Sequence, residues 1–485
     1  MSRGTNSCTA AAAEEEDGGA KELQEAFAKG LSLGETEDGL QLLPVEIWHL
    51  ILSSLQGRQV RSAAQVCRTW KELLQTREKR KTLLIWGSLD GNKPYLEAYS
   101  PPHHASSEQG PSTVQLWTIP LLKEADIVQI SSGWGCALLL DSRGRVWKLG
   151  PDASNNNEPA VVKELCHERV VYVATSEFHS LAVTCKGEVY SWGTGGIQLG
   201  RTTVEYPAAQ PAVIPALRGH RVVQVAVGIY HSVALTEEGK VFAWGGGSQG
   251  CPGQGSLDNC PVPTVVLFEE TAPQPRIVQI ASGGFHVLAL ADSGKLYSWG
   301  WAYHGALGYD HTSSSMTPKH VKNVDGVAIS RIETGRHQTF IISETGKVLT
   351  FGCNVHGRLG LGHETSVTTP HSIPTFADIP LAHIASNEFH TLFLTGSGHV
   401  YSCGSEDEEY KRLGLGGTTK STPTPMPVKA LAQENIVQVS CGRNFSLALA
   451  DEIGCAMDNL QNATVRFEKR IARMKSLEQN ERSSQ

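Results

Sequence analysis

A segment that recurs about every fifty residues constrains the fold of this chain more than any other feature of its sequence. One copy runs from Val223 to Gly245, and the segments Ile280–Gly300 and Val173–Gly193 match it position by position. Each copy has a Gly or Ser, a His three residues later, a turn Gly and a closing Trp-Gly at constant offsets. Three weaker copies keep this spacing, and their residues at the His position are Cys136, Gln338 and His390. Repeats of this kind bury their apolar faces only by stacking on one another.

A seventh copy is split between the two ends of the repeat array. Val439–Asp451 supplies its first half, and Leu83–Gly87 is a Trp-Gly strand that no first half precedes. The two halves complete each other if they share a sheet, which joins the ends of the array and removes two exposed strand edges. The sequence therefore predicts a mainly β fold, a seven-bladed β-propeller, in which Leu83–Trp86 pairs with the strand around Phe445–Ala450.

Within each repeat, alternating apolar residues predict short strands, and a turn Gly free to adopt positive φ predicts a hairpin. The Trp of each Trp-Gly is expected to pack between neighbouring blades. The recurrent histidines are expected to be structural and to hydrogen-bond backbone within their own blade, and they are His179, His231, His286 and His390. A Leu-Gly pair ends four repeats and is expected to fail after Gly245, where Cys251-Pro252 intervene.

A different pattern precedes the repeats, in residues 40–80. Leu43-Pro44-Val45-Glu46 is followed by apolar residues at helical spacing and then by Val66-Cys67-Arg68-Thr69-Trp70. A domain of about forty residues seldom closes a core of its own, so apolar side chains remain for a partner. The alternative is that they form only the core of a small helical cap.

Two resemblances follow from these motifs. Residues 42–80 resemble the F-box, which implies binding to the Skp-family adaptor of a cullin-based ligase. The residues that this resemblance assigns to the adaptor are Leu43, Pro44, Glu46, Ile47, Ile51, Leu55, Val66, Cys67 and Trp70. The repeats resemble the regulator-of-chromosome-condensation family, whose members are seven-bladed propellers, and they cover roughly three quarters of the chain.

Charge and cysteine content limit the classes of partner and the cellular compartments that suit this protein. Residues 1–40 carry nine acids and three bases, which is −6 of the net charge of −7, so the rest is nearly neutral and has no basic footprint for nucleic acid. The opening residues lack the apolar core of a signal peptide, and no apolar run is long enough to span a membrane. Eleven cysteines without a C-x-x-C pair indicate a reduced protein of the cytoplasm, the nucleus or both, with buried thiols.

These patterns divide the chain into a disordered acidic tail (1–38), an F-box helical domain (40–80), a propeller (83–454) and an amphipathic C-terminal helix (457–480). We find no nucleophile–base pair, no carboxylate pair with catalytic spacing and no Gly-rich phosphate loop, so no catalytic site, metal or cofactor is expected.

Departures from the repeat are the best sequence guide to a target-binding surface. Trp301, Tyr303 and His304 lie in one inter-strand loop, where exposed aromatic side chains suit a binding hot spot and packing within the loop is the alternative. The equivalent loop two repeats later contains four acids, which either attract a basic target or are only a solvated loop. These acids are Glu406, Asp407, Glu408 and Glu409.

The leading functional hypothesis is a non-catalytic substrate-recognition subunit of an SCF-type ubiquitin ligase, with a Skp-family adaptor, a cullin scaffold and an unknown target protein as partners. An exchange factor for a small GTPase and a chromatin-binding propeller remain alternatives, because fold alone does not decide function.

Overall fold

The computed structural model describes residues 81–88, 116–119, 122, 125–150, 159–202, 208–268, 273–406, 411–416 and 421–451. These residues form a β-propeller of seven four-stranded antiparallel sheets, and the contacts within the chain group Lys79–Gly454 into one compact unit. The predicted acidic tail, F-box helices and C-terminal helix lie outside the described residues.

Each blade is numbered here from the split one. Blade 1 contains β1 (Lys81–Gly87), β2 (Trp117–Thr118), β27 (Asn435–Cys441) and β28 (Phe445–Asp451). Blade 2 contains β3 (Ile127–Ser132), β4 (Ala137–Asp141), β5 (Val146–Leu149) and β6 (Ala160–Val161). Blade 3 contains β7 (Val170–Thr175), β8 (His179–Thr184), β9 (Val189–Gly193) and β10 (Ala208–Val213). Blade 4 contains β11 (Val222–Val227), β12 (His231–Thr236), β13 (Val241–Gly245) and β14 (Cys260–Val265).

The remaining blades follow the same order. Blade 5 contains β15 (Ile277–Ser282), β16 (His286–Ala291), β17 (Leu296–Gly300) and β18 (Ser315–His320). Blade 6 contains β19 (Ile329–Thr334), β20 (Gln338–Ser343), β21 (Val348–Gly352) and β22 (Val367–Ser372). Blade 7 contains β23 (Leu381–Ser386), β24 (His390–Thr395), β25 (Val400–Ser405) and β26 (Ser421–Pro427). Single 3₁₀ turns in the described residues are Lys163–Leu165, Ile197–Leu199, Pro215–Leu217, Tyr303–Gly305, Lys322–Val324, Val355–Gly357, Pro374–Phe376 and Lys429–Leu431.

The predicted closure of the ring is confirmed. β1 lies between β2 and β28, and the register pairs Leu83 with Leu449 and Trp86 with Ser446. The first and last described strands therefore share blade 1. The turn glycines of the other blades adopt φ between +78° and +84°, as the hairpin prediction requires, and they are Gly144, Gly187, Gly239, Gly294, Gly346 and Gly398.

The hydrophobic core lies between blades. Seven clusters of buried side chains occupy the seven blade interfaces, and each cluster combines residues of two neighbouring blades. The Trp prediction is confirmed: Trp244 is fully buried, and its Nε1 donates to the carbonyl oxygen of Gln198 in blade 3 at 2.8 Å. Trp299 and Trp86 donate in the same way to Cys251 and Arg412 of the preceding blades. Each blade is thus stabilised mainly by its neighbours.

The inner strands are joined by glutamine side chains, which the sequence analysis missed. The amide of Gln224 donates to the carbonyl oxygen of Ile280 at 2.9 Å and accepts from its N–H at 3.0 Å, so it bridges two blades. Gln129, Gln279 and Gln438 bridge other pairs of neighbouring blades in the same way.

One prediction about the repeat was wrong in detail. Nε2 of each recurrent histidine contacts a hydroxyl of the next blade rather than backbone of its own, as between His179 and Ser232 at 2.7 Å and between His390 and Ser446 at 2.7 Å. The Leu-Gly pair is absent after Gly245, as expected, and Pro252-Gly253 stands in its place. A Cβ on Gly253, which has φ +71°, would lie 2.8 Å from Nε1 of Trp299, so only glycine fits against that indole.

The cysteine prediction holds in part. Cys251, Cys353, Cys403 and Cys441 are buried, whereas Cys166 and Cys185 are exposed because they lie in loops at the blade ends. In the part of the chain that the structure describes, no three His, Cys, Asp or Glu side chains group as metal ligands. The same residues contain no helix long and apolar enough to cross a membrane.

Candidate functional site

One end of the propeller channel is surrounded by residues that vary between repeats. The first strand of each blade lines the channel, so the turns between first and second strands all lie at this end, which we call the channel face. In each turn the residue after the first Gly, Ser or Asn lines the cavity at this end of the channel. We call these seven positions the mouth ring, and they are Trp134, Glu177, Ile229, Gly284, Arg336, Glu388 and Arg443.

The mouth ring encloses a cavity of about 210 Å³. Arg336 reaches across it: its guanidinium lies 5.5 Å from the ring of Trp134 and donates to Glu388 at 2.7 Å. Gly284 leaves the space for this side chain, since a Cβ there would lie 2.8 Å from Cγ of Arg336. Pockets for drug-sized ligands are usually about 300–1,000 Å³. This cavity therefore suits a single side chain better than a cofactor.

A second arginine stacks on the same tryptophan. The guanidinium of Arg443 lies 4.0 Å from the ring centroid of Trp134 and 5.7 Å from that of Phe389, and its side chain is exposed to solvent. Its backbone N–H donates to the carbonyl oxygen of Trp134 at 3.1 Å, which fixes the turn. Stacking of this type is worth about 0.5–1 kcal/mol at exposed sites.

Glu177 differs from the other charged residues of the mouth ring. Its side chain is half-buried, and among the described residues it has no hydrogen-bond or ion-pair partner. Burial raises the pKa of Glu177 above the usual glutamate value and the negative charge of Glu388 raises it further, whereas the positive charges of Arg336 and Arg443 lower it. The free protein therefore holds a partly desolvated carboxylate at the mouth without a direct partner.

A continuous row of aromatic side chains runs along the channel face from blade 3 to blade 5. Ring centroids are separated by 5.6 Å from Phe178 to Tyr230, 6.2 Å from Tyr230 to Phe285, 5.4 Å from Phe285 to Trp301 and 4.8 Å from Trp301 to Tyr303. We call these five residues the aromatic arc. Tyr230, Trp301 and Tyr303 are 45%, 36% and 40% exposed, the largest values for Phe, Tyr or Trp among the side chains that the structure describes.

The predicted target-binding residues are only partly brought together. Trp301 and Tyr303 are exposed in the aromatic arc, and His304 packs on Tyr303 with a centroid distance of 4.1 Å and the left-handed φ of +52°. Glu406 lies in the loop of blade 7, where its carboxylate accepts the N–H of Leu413 at 3.3 Å. Asp407, Glu408 and Glu409 lie outside the described residues, as do all nine predicted adaptor-binding residues.

The mouth ring itself escaped the sequence analysis. Its residues occupy one fixed position, directly after the first Gly of the repeat, and that position changes from Trp to Glu, Ile, Gly, Arg, Glu and Arg around the ring. This variation at a single position of an otherwise regular repeat was the signal in the sequence that could have indicated the mouth ring.

Comparisons with known proteins agree with this architecture. The family model described as RCC1-like domain matches residues 74–374 and 148–457, and the model described as F-box-like matches residues 40–79. The Ultraviolet-B receptor UVR8 of Arabidopsis thaliana is 31% identical over 312 residues, which is 64% of this chain and 69% of that protein. The E3 ubiquitin-protein ligase HERC2 of Mus musculus is 30% identical over 336 residues, which is 67% of this chain but only 7% of the ligase.

A solved structure shows the same fold. Prp20p of Saccharomyces cerevisiae, whose structure was described with its binding to Gsp1p and histones, matches with a TM-score of 0.63 and 25% identity. The match covers 79% of this chain and 95% of that one. A closed ring of seven blades, the repeat motif and the family match over most of the chain lead to one conclusion: this protein belongs to the RCC1-like domain family and carries an F-box-like domain ahead of its propeller.

Proposed function

We propose that this protein is a non-catalytic substrate-recognition subunit of an SCF-type ubiquitin ligase. The F-box-like segment binds a Skp-family adaptor that is attached to a cullin, and the channel face of the propeller binds the protein to be ubiquitinated. The observation that carries the proposal is the joining of an F-box-like segment to a seven-bladed propeller in one chain.

The propeller supports the target-binding half of the proposal. Interfaces concentrate their binding energy in exposed Trp, Tyr and Arg residues that become buried on association. The channel face presents all three residue types, with exposed Trp301 and Tyr303 in the β17–β18 loop of blade 5 and the exposed Arg443 in the inner turn of blade 1. These groups are held by turns of a closed ring, so little ordering is required when a target binds.

The adaptor-binding half is tested by changing the F-box without touching the propeller. Leu43→Ala combined with Pro44→Ala should abolish co-purification of the adaptor and cullin, because truncation of a buried anchor typically costs at least about 2 kcal/mol of binding free energy. The matched control is Gln65→Ala, which lies in the same segment outside the motif and should retain both partners. Circular dichroism should show an unchanged β-propeller in each variant.

The second candidate function is nucleotide exchange on a small GTPase, which the binding of Prp20p to Gsp1p motivates. The two functions are separated by one experiment on the unmodified protein. If adaptor and cullin never associate with it in cell lysate, even on overexpression, and it accelerates nucleotide release from a GTPase, the ligase proposal is wrong.

A further inference from the structure

We propose that the mouth ring accepts a lysine or arginine side chain of the target, with the carboxylate of Glu177 as its ionic partner and the aromatic arc in contact with the flanking residues. This inference rests on the proposed function, since it names the chemistry of the target that the channel face recognises.

Glu177 is half-buried and, within the part of the chain that the structure describes, lacks a direct partner in the free protein. A charged group that loses water without gaining a partner costs free energy, and a cation placed beside it recovers that cost. The other ring carboxylate, Glu388, already pairs with Arg336 at 2.7 Å. Among the described residues of the mouth ring, Glu177 is therefore the acid that remains open to a ligand.

The two arginines of the mouth ring favour an acidic ligand less strongly than Glu177 favours a basic one. The charge of Arg336 is balanced by Glu388, and the guanidinium of Arg443 is solvated on one side and stacked on Trp134 on the other. A solvated guanidinium loses water when an anion binds, so such pairs add little net binding free energy. A cationic ligand beside Glu177 gains more than an anionic ligand beside Arg443.

The aromatic arc favours the same ligand. Its first member, Phe178, follows Glu177 in the chain, and its members Tyr230 and Trp301 are exposed on the same face of the propeller. Faces of aromatic rings attract ammonium and guanidinium groups. The cavity of about 210 Å³ takes one long side chain, so a single basic residue enters while its neighbours lie across the arc.

The test uses the purified full-length protein and fluorescein-labelled seven-residue peptide pools with random flanking residues. The central residue is fixed as Lys, Arg, Ala, Glu or phosphoserine, and binding is measured by fluorescence polarisation. We expect selective binding of the Lys and Arg pools. Glu177→Gln should weaken their binding at least about tenfold, which corresponds to about 1.4 kcal/mol.

Two further variants sharpen the test. Glu177→Lys should reverse the preference towards the Glu and phosphoserine pools, and Trp301→Ala should weaken the Lys and Arg pools while the preference for a basic centre remains. The matched control is Glu344→Gln, an exposed glutamate in the hairpin turn between β20 and β21 at the opposite end of the channel, which should bind like the unmodified protein.

The proposal is overturned if the unmodified protein prefers the acidic pools, if no pool is preferred, or if Glu177→Gln binds the basic pools undiminished while its melting temperature is unchanged. Co-purification of the adaptor with the Glu177 variants is scored separately. If the unmodified protein does not bind the adaptor, the result counts against the ligase function. The peptide preference can still be measured in that case.

Discussion

At the scale of single residues, the blades are joined by pairs of small polar contacts buried between apolar surfaces. Nε2 of His179 lies 2.7 Å from Oγ of Ser232, which in turn donates to the carbonyl oxygen of Gln198 at 2.9 Å. The histidine and the hydroxyl are both buried, so each loses its water and depends on the other. The recurrent histidine is therefore part of the joint between two blades.

The first prediction concerns this contact. His179→Ala should lower the free energy of unfolding by about 1–3 kcal/mol, because it leaves a buried hydroxyl with one partner fewer. A double-mutant cycle with Ser232→Ala, measured by urea denaturation, should give a coupling of at least about 0.5 kcal/mol. Additive effects would show that the two side chains do not stabilise each other, and stoichiometric zinc in the purified protein would refute a structural role.

Residue roles were predictable only where the repeat itself displays them. The turn Gly and the Trp recur at fixed offsets, so their conformation and their interface followed from the pattern. The partner of His179 lies fifty-three residues further along the chain, and it is contacted only because the ring curves, which no local pattern encodes. The same holds for Glu177, whose lack of a partner depends on the arrangement of the six other blades around the cavity.

At the scale of elements, blade 1 is the one blade assembled from distant parts of the chain. β1 and β28 pair over their whole length, from Lys81 with Asp451 to Gly87 with Phe445. Leu84 and Trp86 also pack in the cluster that joins blade 1 to blade 7, so β1 contributes to the ring closure through both backbone and side chains. The split seventh copy of the repeat predicted this pairing. The bulges that begin the inner strands were not predicted; in β11 the extra residue interrupts the alternation, so that Val222 and Val225, three residues apart, are both buried.

The second prediction compares two truncations. Deletion of residues 1–90 removes β1 and leaves β28 as an unpaired edge, so we expect a lower melting temperature and aggregation. Deletion of residues 1–78 retains β1 and is the matched control. The difference in melting temperature between the two truncated proteins gives the contribution of this strand to stability. Equal melting temperatures would contradict the role of β1 in closing the ring.

At the scale of the whole molecule, burial of many neutral histidines links stability to pH. Burial lowers the pKa of His179, His231 and His390 to about 3 and that of His286 to about 4. The unfolded chain binds protons near pH 6.5 and the folded protein does not, so these groups stabilise the fold above pH 6.5 and this stability is lost as the pH falls towards 3. Glu177 and Glu333, whose pKa values are raised by burial, act in the opposite direction but are fewer.

The third prediction follows from this difference. The free energy of unfolding should fall by several kcal/mol between pH 7 and pH 5, because each neutral buried histidine costs about 1.4 kcal/mol per pH unit below its unfolded pKa. His286→Gln provides the control, since Gln338 occupies the same repeat position in blade 6. This variant should reduce the dependence of the free energy of unfolding on pH by the contribution of one histidine. An unchanged pH dependence, measured by urea denaturation, would contradict the role of His286 as a buried neutral histidine.

The split blade also has a consequence for how the protein is made. β1 leaves the ribosome before the other described strands, and its partner β28 is the last of them to be synthesised. At about 5–20 residues per second, β1 waits about 20–70 s for that partner. A translation product that stops short of Phe445 has at most six complete blades and an open seam. Premature termination therefore yields a chain with an exposed strand edge for chaperones and proteases to recognise.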